Sequence, residues 1–223
     1  MPNPLRAAFA ALKNPETEIR ARRFPVASRG IVLKKLGDLK RSDARAVKKL
    51  IRPENADVIL ADFPSEEGDM LHAITCGDFV FCDFILRLIQ RAGIPRAMTA
   101  ATLSLSLKNV EKLAALLTAT PFPFHLVLSH YFKSTSGEIF RAIETLLVPI
   151  PGFRLTIGRC HAKVTLLDYP DRALVIESSA NLRSSRNIEQ ITAKQCRALH
   201  DFHLQWIEEF ATSEEAFKTS APG

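Results

Sequence analysis

The 223-residue chain has no apolar run long enough to cross a bilayer, so a transmembrane helix is not expected. Met1 to Phe9 hold one arginine and a short apolar stretch with no convincing secretory signal behind it. A cytoplasmic protein with no stable membrane association is therefore expected. Four cysteines stand at 76, 82, 160 and 196, and no two form a Cys-x-x-Cys pair. That argues against a zinc site or a redox pair, and buried reduced thiols are the better reading. There is no internal repeat and no low-complexity tract. With 47% hydrophobic residues the chain can bury a sizeable core, which excludes disorder as a reading of the whole.

Charge is present but unevenly spread. The net charge is +6, yet residues 1–50 carry 13 Lys or Arg against four acids, and the remainder sums to −3. A basic segment beside a near-neutral body suits a polyanion partner, because Lys and Arg replace counterions along a phosphate backbone. A solvated helical surface would look the same by charge alone.

The order of elements reads as α/β. Residues 1–52 are expected to form a basic, mainly helical N-terminal extension. Arg20, Arg22 and Arg23 cluster there, and Leu33, Leu36, Leu39, Val47 and Leu50 recur at helical spacing. Ser42 or Asp43 suits a helix cap. Residues 53–215 are expected to form one domain, followed by a flexible tail at 216–223. In that domain Asp57–Ala61 reads as a buried strand and Leu71–Ala92 as a helix stopped by Gly93 and Pro95. Strands are expected at 96–105, 125–129, 153–157, 162–167, 173–176 and 188–193. Helices are expected at 110–117 and at 136–147, the latter with Ile139, Ile143, Leu146 and Leu147 inward. A last helix at 197–210 should bury Leu199, Phe202, Trp206, Ile207 and Phe210. The alternation predicts a mixed β-sheet flanked by helices on both faces.

Residues 159–190 carry the chemistry. His161 and Lys163, two apart on the expected strand, share a face, and Ala162 points the other way. Asp168 follows at the strand end. The next strand ends in Ser178, Ser179, Ala180 and Asn181, with Asn187 and Glu189 beyond. Neighbouring strands can thus bring an imidazole, an ammonium, a hydroxyl and an amide to one spot. An imidazole can attack phosphorus and form a covalent intermediate. An ammonium and an amide can hold the oxygens whose charge grows in the transition state. A carboxylate can set the imidazole tautomer. Neither a metal nor another cofactor is called for.

This stretch resembles the HKD motif of the phospholipase D superfamily, His-x-Lys-x4-Asp followed by Gly-Ser-x-Asn. His161, Lys163 and Asp168 stand at its spacing, and Ser179 and Asn181 match its second part. Ser178 stands where the family usually has Gly. Asn187 and Glu189 resemble the Asn-x-Glu of its single-motif bacterial nuclease branch. The strong resemblance covers residues 153–207.

The resemblance implies a phosphodiesterase in which His161 attacks and becomes phosphohistidine, while a second histidine protonates the leaving oxygen. Lys163 and Asn181 would bind phosphate with help from Ser179, Glu189 would orient His161, and Asp168 would be a structural hydrogen-bonding residue. The family's site uses two such motifs. His72, His125, His130, His200 and His203 all lack a lysine two residues on. His125 and His130 read as ordinary strand residues, and His200 and His203 as surface or interface groups. The second motif is therefore expected from a second copy, in a homodimer. The reading is a metal-independent nuclease for DNA or RNA. The alternatives are a nucleic-acid-binding module with a little-used phosphate site, or a phospholipase.

Overall fold

The computed structural model describes residues 49–51, 56–61, 63–75, 79–183, 187–213 and 216–219. The elements run β1 Lys49–Ile51, α1 Ala56–Ala61, β2 Met70–Thr75, α2 Phe81–Ala92, β3 Ala97–Thr102, α3 Leu107–Ala119, β4 Phe124–Ser129 and α4 His130–Thr135. They continue with α5 Gly137–Leu146, β5 Phe153–Gly158, β6 Val164–Asp168, β7 Ala173–Ser178, β8 Glu189–Gln195, α6 Arg197–Thr212 and β9 Ala216–Thr219. The strands form one mixed sheet in the order β1-β2-β8-β7-β6-β3-β4-β5-β9. β3, β4 and β5 run parallel, as do β1 and β2, while β6, β7 and β8 alternate in direction.

Period-two alternation sends side chains to two separate cores. Ala100, Leu126, Leu167 and Ile176 face a large core shared with Phe84, Leu88, Leu113 and Ile143 of α2, α3 and α5. Their neighbours Ala101, Val127, Leu166 and Val175 face a smaller one closed by Ile207 of α6. This is the expected α/β architecture, a mixed sheet with helices on both faces. Each large side chain buried completely contributes about 1.5–3 kcal/mol. The inner strands are apolar on both faces, so their positions were the easiest to read from sequence.

Several elements differ from expectation. The segment 57–61 is helical, part of α1, and Asp57 accepts from Arg87 of α2 at 2.6 Å. A short apolar run does not distinguish a strand from a buried helical turn. Residues 71–75 are a strand, and helix α2 begins only at Phe81. Paired with β1 on one side and β8 on the other, β2 gains ladders on both edges, which outweighs local helix propensity. The expected stop is real: Gly93 has φ 95 and donates its N–H to Ile89 at the end of α2.

Leu146 and Phe202 are exposed, not inward, and Phe140 takes the inward place on α5. His200, expected as a surface or interface group, is buried in this chain, with Nδ1 at 3.1 Å from Asp201 of the same helix. Lys49–Ile51 is a strand in a segment expected to be helical, and Ala216–Thr219 pairs with β5 where a flexible tail was expected. Residues 1–48, with their arginine cluster and helical pattern, lie outside the described residues, and so does Cys76.

Candidate active site

The sheet's strand directions gather all of the motif except Asp168 at one end. β6 runs antiparallel to both β3 and β7, so its first residue, Val164, lies opposite Ala101 and Glu177 near the carboxyl ends of those strands. β8 starts at the same end, where Ser178 faces Ile191. The open end of an α/β sheet beyond such carboxyl ends is a common place for a ligand.

His161 and Lys163 stand in the turn just before β6, not within the strand as expected. The turn is nonetheless anchored. The Cys160 side chain is buried in the smaller core, and its N–H donates to Gly158 at 2.8 Å. Ser178 donates its N–H to the Lys163 carbonyl at 3.0 Å, one rung beyond the strand. His161 is left exposed. Lys163 bends back to it: Nζ donates to the His161 carbonyl at 3.0 Å and lies 3.2 Å from Nδ1. An ammonium can only donate, so Nδ1 accepts and the neutral ring carries its proton on Nε2. Burial pushes the Lys163 ammonium below its ordinary value, although Glu189 and Cys160 pull the other way. The charge is therefore under-compensated, which favours an anion beside it.

Ser179 and Glu189 meet across the β7–β8 pair. The Ser179 hydroxyl donates to Glu189 Oε2 and accepts from the Gln190 N–H at 2.9 Å. Glu189, expected to orient His161, instead accepts from Ser179 in this structure, and His161 Nδ1 faces Lys163. Ser178 closes the turn by accepting from the Ala180 N–H at 2.8 Å. Asn181 Oδ1 accepts from the Leu103 N–H at 3.2 Å. That contact leaves the carboxamide's Nδ2 as the edge able to donate to an anion. No sequence pattern marks Leu103, because every residue except proline carries the same backbone donor. Beside Glu189 a shallow cleft is lined by Thr75, Phe79, Phe81, Ala180, Arg183 and Ile191.

Asp168 is not part of this cluster. It ends β6 at the opposite end of the strands, across from Ala97 and Ala173. Arg197 donates to it at 2.7 Å and Arg96 approaches at 3.0 Å. Burial raises its carboxyl, but hydrogen bonds from Arg197 and Arg96 and their charges outweigh that and hold it below the ordinary value.

Elsewhere, His125 is buried, with Thr156 Oγ1 at 2.9 Å from Nε2, as an ordinary strand residue would be. Among the described residues no three His, Cys, Asp or Glu side chains converge as a metal site, and no helix is long and apolar enough to cross a membrane.

No family model matches the chain, and no curated protein matches it in sequence. In structure it is similar to a phospholipase D family member, Nuc from Salmonella typhimurium, at 12% identity and a TM-score of 0.43, covering 58% of this chain and 85% of Nuc. NucT from Helicobacter pylori is similar at 13% identity and a TM-score of 0.46, over 67% of this chain and 99% of NucT. Polyphosphate kinase from Porphyromonas gingivalis is similar at 14% identity and a TM-score of 0.49, over 67% of this chain but only 27% of the kinase.

Proposed function

We propose that the chain is a metal-independent phosphodiesterase of the phospholipase D superfamily that cleaves nucleic acid at a site shared by two copies. One observation carries the reading: His161, Lys163, Ser179, Asn181 and Glu189, drawn from three separate segments, lie at one end of the sheet, with Lys163 against His161 and Ser179 against Glu189. A phosphate bound to Lys163 and to Asn181 Nδ2 draws Nζ away from His161 Nδ1. Nδ1 can then take the ring proton, which leaves the Nε2 lone pair free to attack.

Nε2 of one His161 forms a bond to phosphorus while the bond to the leaving oxygen breaks, and that oxygen takes a proton from the imidazolium of the second copy's His161. The second imidazole then accepts a proton from water, whose oxygen attacks phosphorus and releases His161. Lys163 and Asn181 stabilise the charge on the non-bridging oxygens in both steps. The preference for nucleic acid rests on the basic composition of residues 1–50.

Purified protein should cleave DNA or RNA in excess EDTA, and vanadate should inhibit it. Cleavage restored only by added magnesium would overturn the mechanism. Cleavage of phosphatidylcholine vesicles alone would assign a lipid substrate, and tight nucleic-acid binding without cleavage would make the chain a binding module.

A further inference from the structure

Behind Asn181 lie two buried polar side chains that no motif accounts for. Thr102 ends β3 at 1% exposure, and Asn109 is the third residue of α3 at 2% exposure. Asparagine is a weak helix former and is rarely buried. Ser106 caps this helix by accepting from the Asn109 N–H at 3.3 Å. The third position after such a cap often holds a Glu or Gln that reaches back to the cap. Asn109 reaches instead across to the loop after β7, where its Nδ2 donates to the Leu182 carbonyl. Thr102 takes the other side of the same residue: its Oγ1 accepts from the Leu182 N–H at 3.2 Å. The same hydroxyl donates to the Ser104 carbonyl at 3.3 Å, shaping the turn that contains Leu103. The Leu103 N–H in turn holds Asn181 Oδ1 at 3.2 Å.

One short segment, 102–109, thus grips two successive residues of another. Both main-chain groups of Leu182 and the side-chain carbonyl of Asn181 are held from it. Leu182 is buried, so these groups have no water to turn to if a partner is lost. The loop must then shift to find another partner, and Asn181 moves with it.

We propose that Thr102 and Asn109 are positioning residues that lock the Asn181 carboxamide with Nδ2 aimed at the phosphate. The inference rests on the phosphodiesterase reading above. It adds to that reading a dependence of turnover on two buried side chains that touch no substrate.

The test uses bis(4-nitrophenyl) phosphate as substrate and the full-length chain. Thr102→Val keeps the side-chain shape and removes the hydroxyl, whereas Thr102→Ser restores it. Thr102→Val and Asn109→Leu should each lower kcat by on the order of ten- to a hundredfold with little change in KM, since a small misplacement of a charge-stabilising group acts on the transition state. Thr102→Ser should recover most of the loss. The deciding measurement repeats Thr102→Val in two backgrounds. In an Asn181→Ala chain the substitution should have almost no further effect, whereas in a Ser179→Ala chain the full factor should persist. Equal losses in both backgrounds would overturn the proposal, because the threonine would then act through the fold as a whole. If Asn109→Leu does not fold, the Thr102 pair decides alone. A wild-type chain inactive on every phosphodiester would instead sink the underlying reading, and the positioning role with it.

Discussion

The two ends of β6 hold the two parts of one sequence motif under opposite electrostatic rules. Just before the strand, Lys163 is a cation whose charge burial disfavours. At its end, Asp168 is an anion whose charge two arginines favour. The first end has unspent capacity for an anion, and the second is already satisfied within the fold. The proposed phosphate site and this ion-paired cluster therefore lie at opposite ends of a strand of only five residues. At about 3.3 Å per residue, the five steps from Lys163 to Asp168 span roughly 16 Å, too far for both to reach one phosphorus.

The sharpest break of this comparison is His161→Ala. It should reduce phosphodiesterase turnover by on the order of 10³-fold or more, since the first covalent step is lost. The melting temperature should not fall, because the side chain is exposed. A variant that keeps a tenth of the activity would remove His161 from the nucleophile's role.

Lys163→Met should come next, lowering turnover by on the order of 10²-fold through loss of charge stabilisation. Its effect on stability tests the sign at this end. A lysine whose folded value is depressed disfavours the folded state below that value, and the penalty disappears as pH rises through the folded value to the ordinary lysine value. Wild-type stability should therefore gain slightly on the alkaline side, and Lys163→Met should lose that gain. Denaturant titrations across that pH range check it.

The third effect separates the ends by assembly. If each site takes one His161 from each copy, mixing wild-type and His161→Ala chains at equal amounts leaves about a quarter of the activity, the square of the wild-type fraction. Mixing wild type with Asp168→Asn should not fall in this way. Activity linear in the wild-type His161 fraction, after verified subunit exchange, would show that each copy owns a complete site.

The smallest effect on chemistry is expected from Asp168→Asn itself, with turnover within a few-fold of wild type. Its cost is in stability, about 1–3 kcal/mol for hydrogen bonds to charged partners lost. For a domain of this size that is several degrees in melting temperature. The pH sign is opposite to that of Lys163. A carboxyl held below its ordinary value stabilises fully above that value, and the contribution is lost as pH falls through the folded value. The variant should therefore show a shallower acid limb. A catalytic collapse with unchanged melting would place Asp168 back among the reacting groups.

How much of this was legible follows from where each side chain lies. The central strands β3 to β7 were readable because most of their residues are buried on both faces, which demands short segments rich in apolar and β-branched side chains. The flank was not. Met70–Thr75 and Ala56–Ala61 were read with the wrong element type, because a short apolar run obtains its conformation from its neighbours. The candidate site was legible as a set of residue types and less so as contacts: Glu189 meets Ser179, and Asp168 stands apart with Arg96 and Arg197.

By itself the sequence determined the chemistry on offer: one imidazole and one ammonium two residues apart, a hydroxyl and an amide after the next strand, and mostly apolar strands to carry them. Only the tertiary structure decided which of these groups meet. Strand direction puts the ends of β3 and β7 and the starts of β6 and β8 together, and sends Asp168 to the other end of the strands. It also brought in partners that no motif contains, the Leu103 N–H, Thr102 and Asn109. The physical reason is that side-chain spacing is a local property of the backbone, whereas hydrogen-bond partners across a sheet are set by register and burial between segments far apart in the chain.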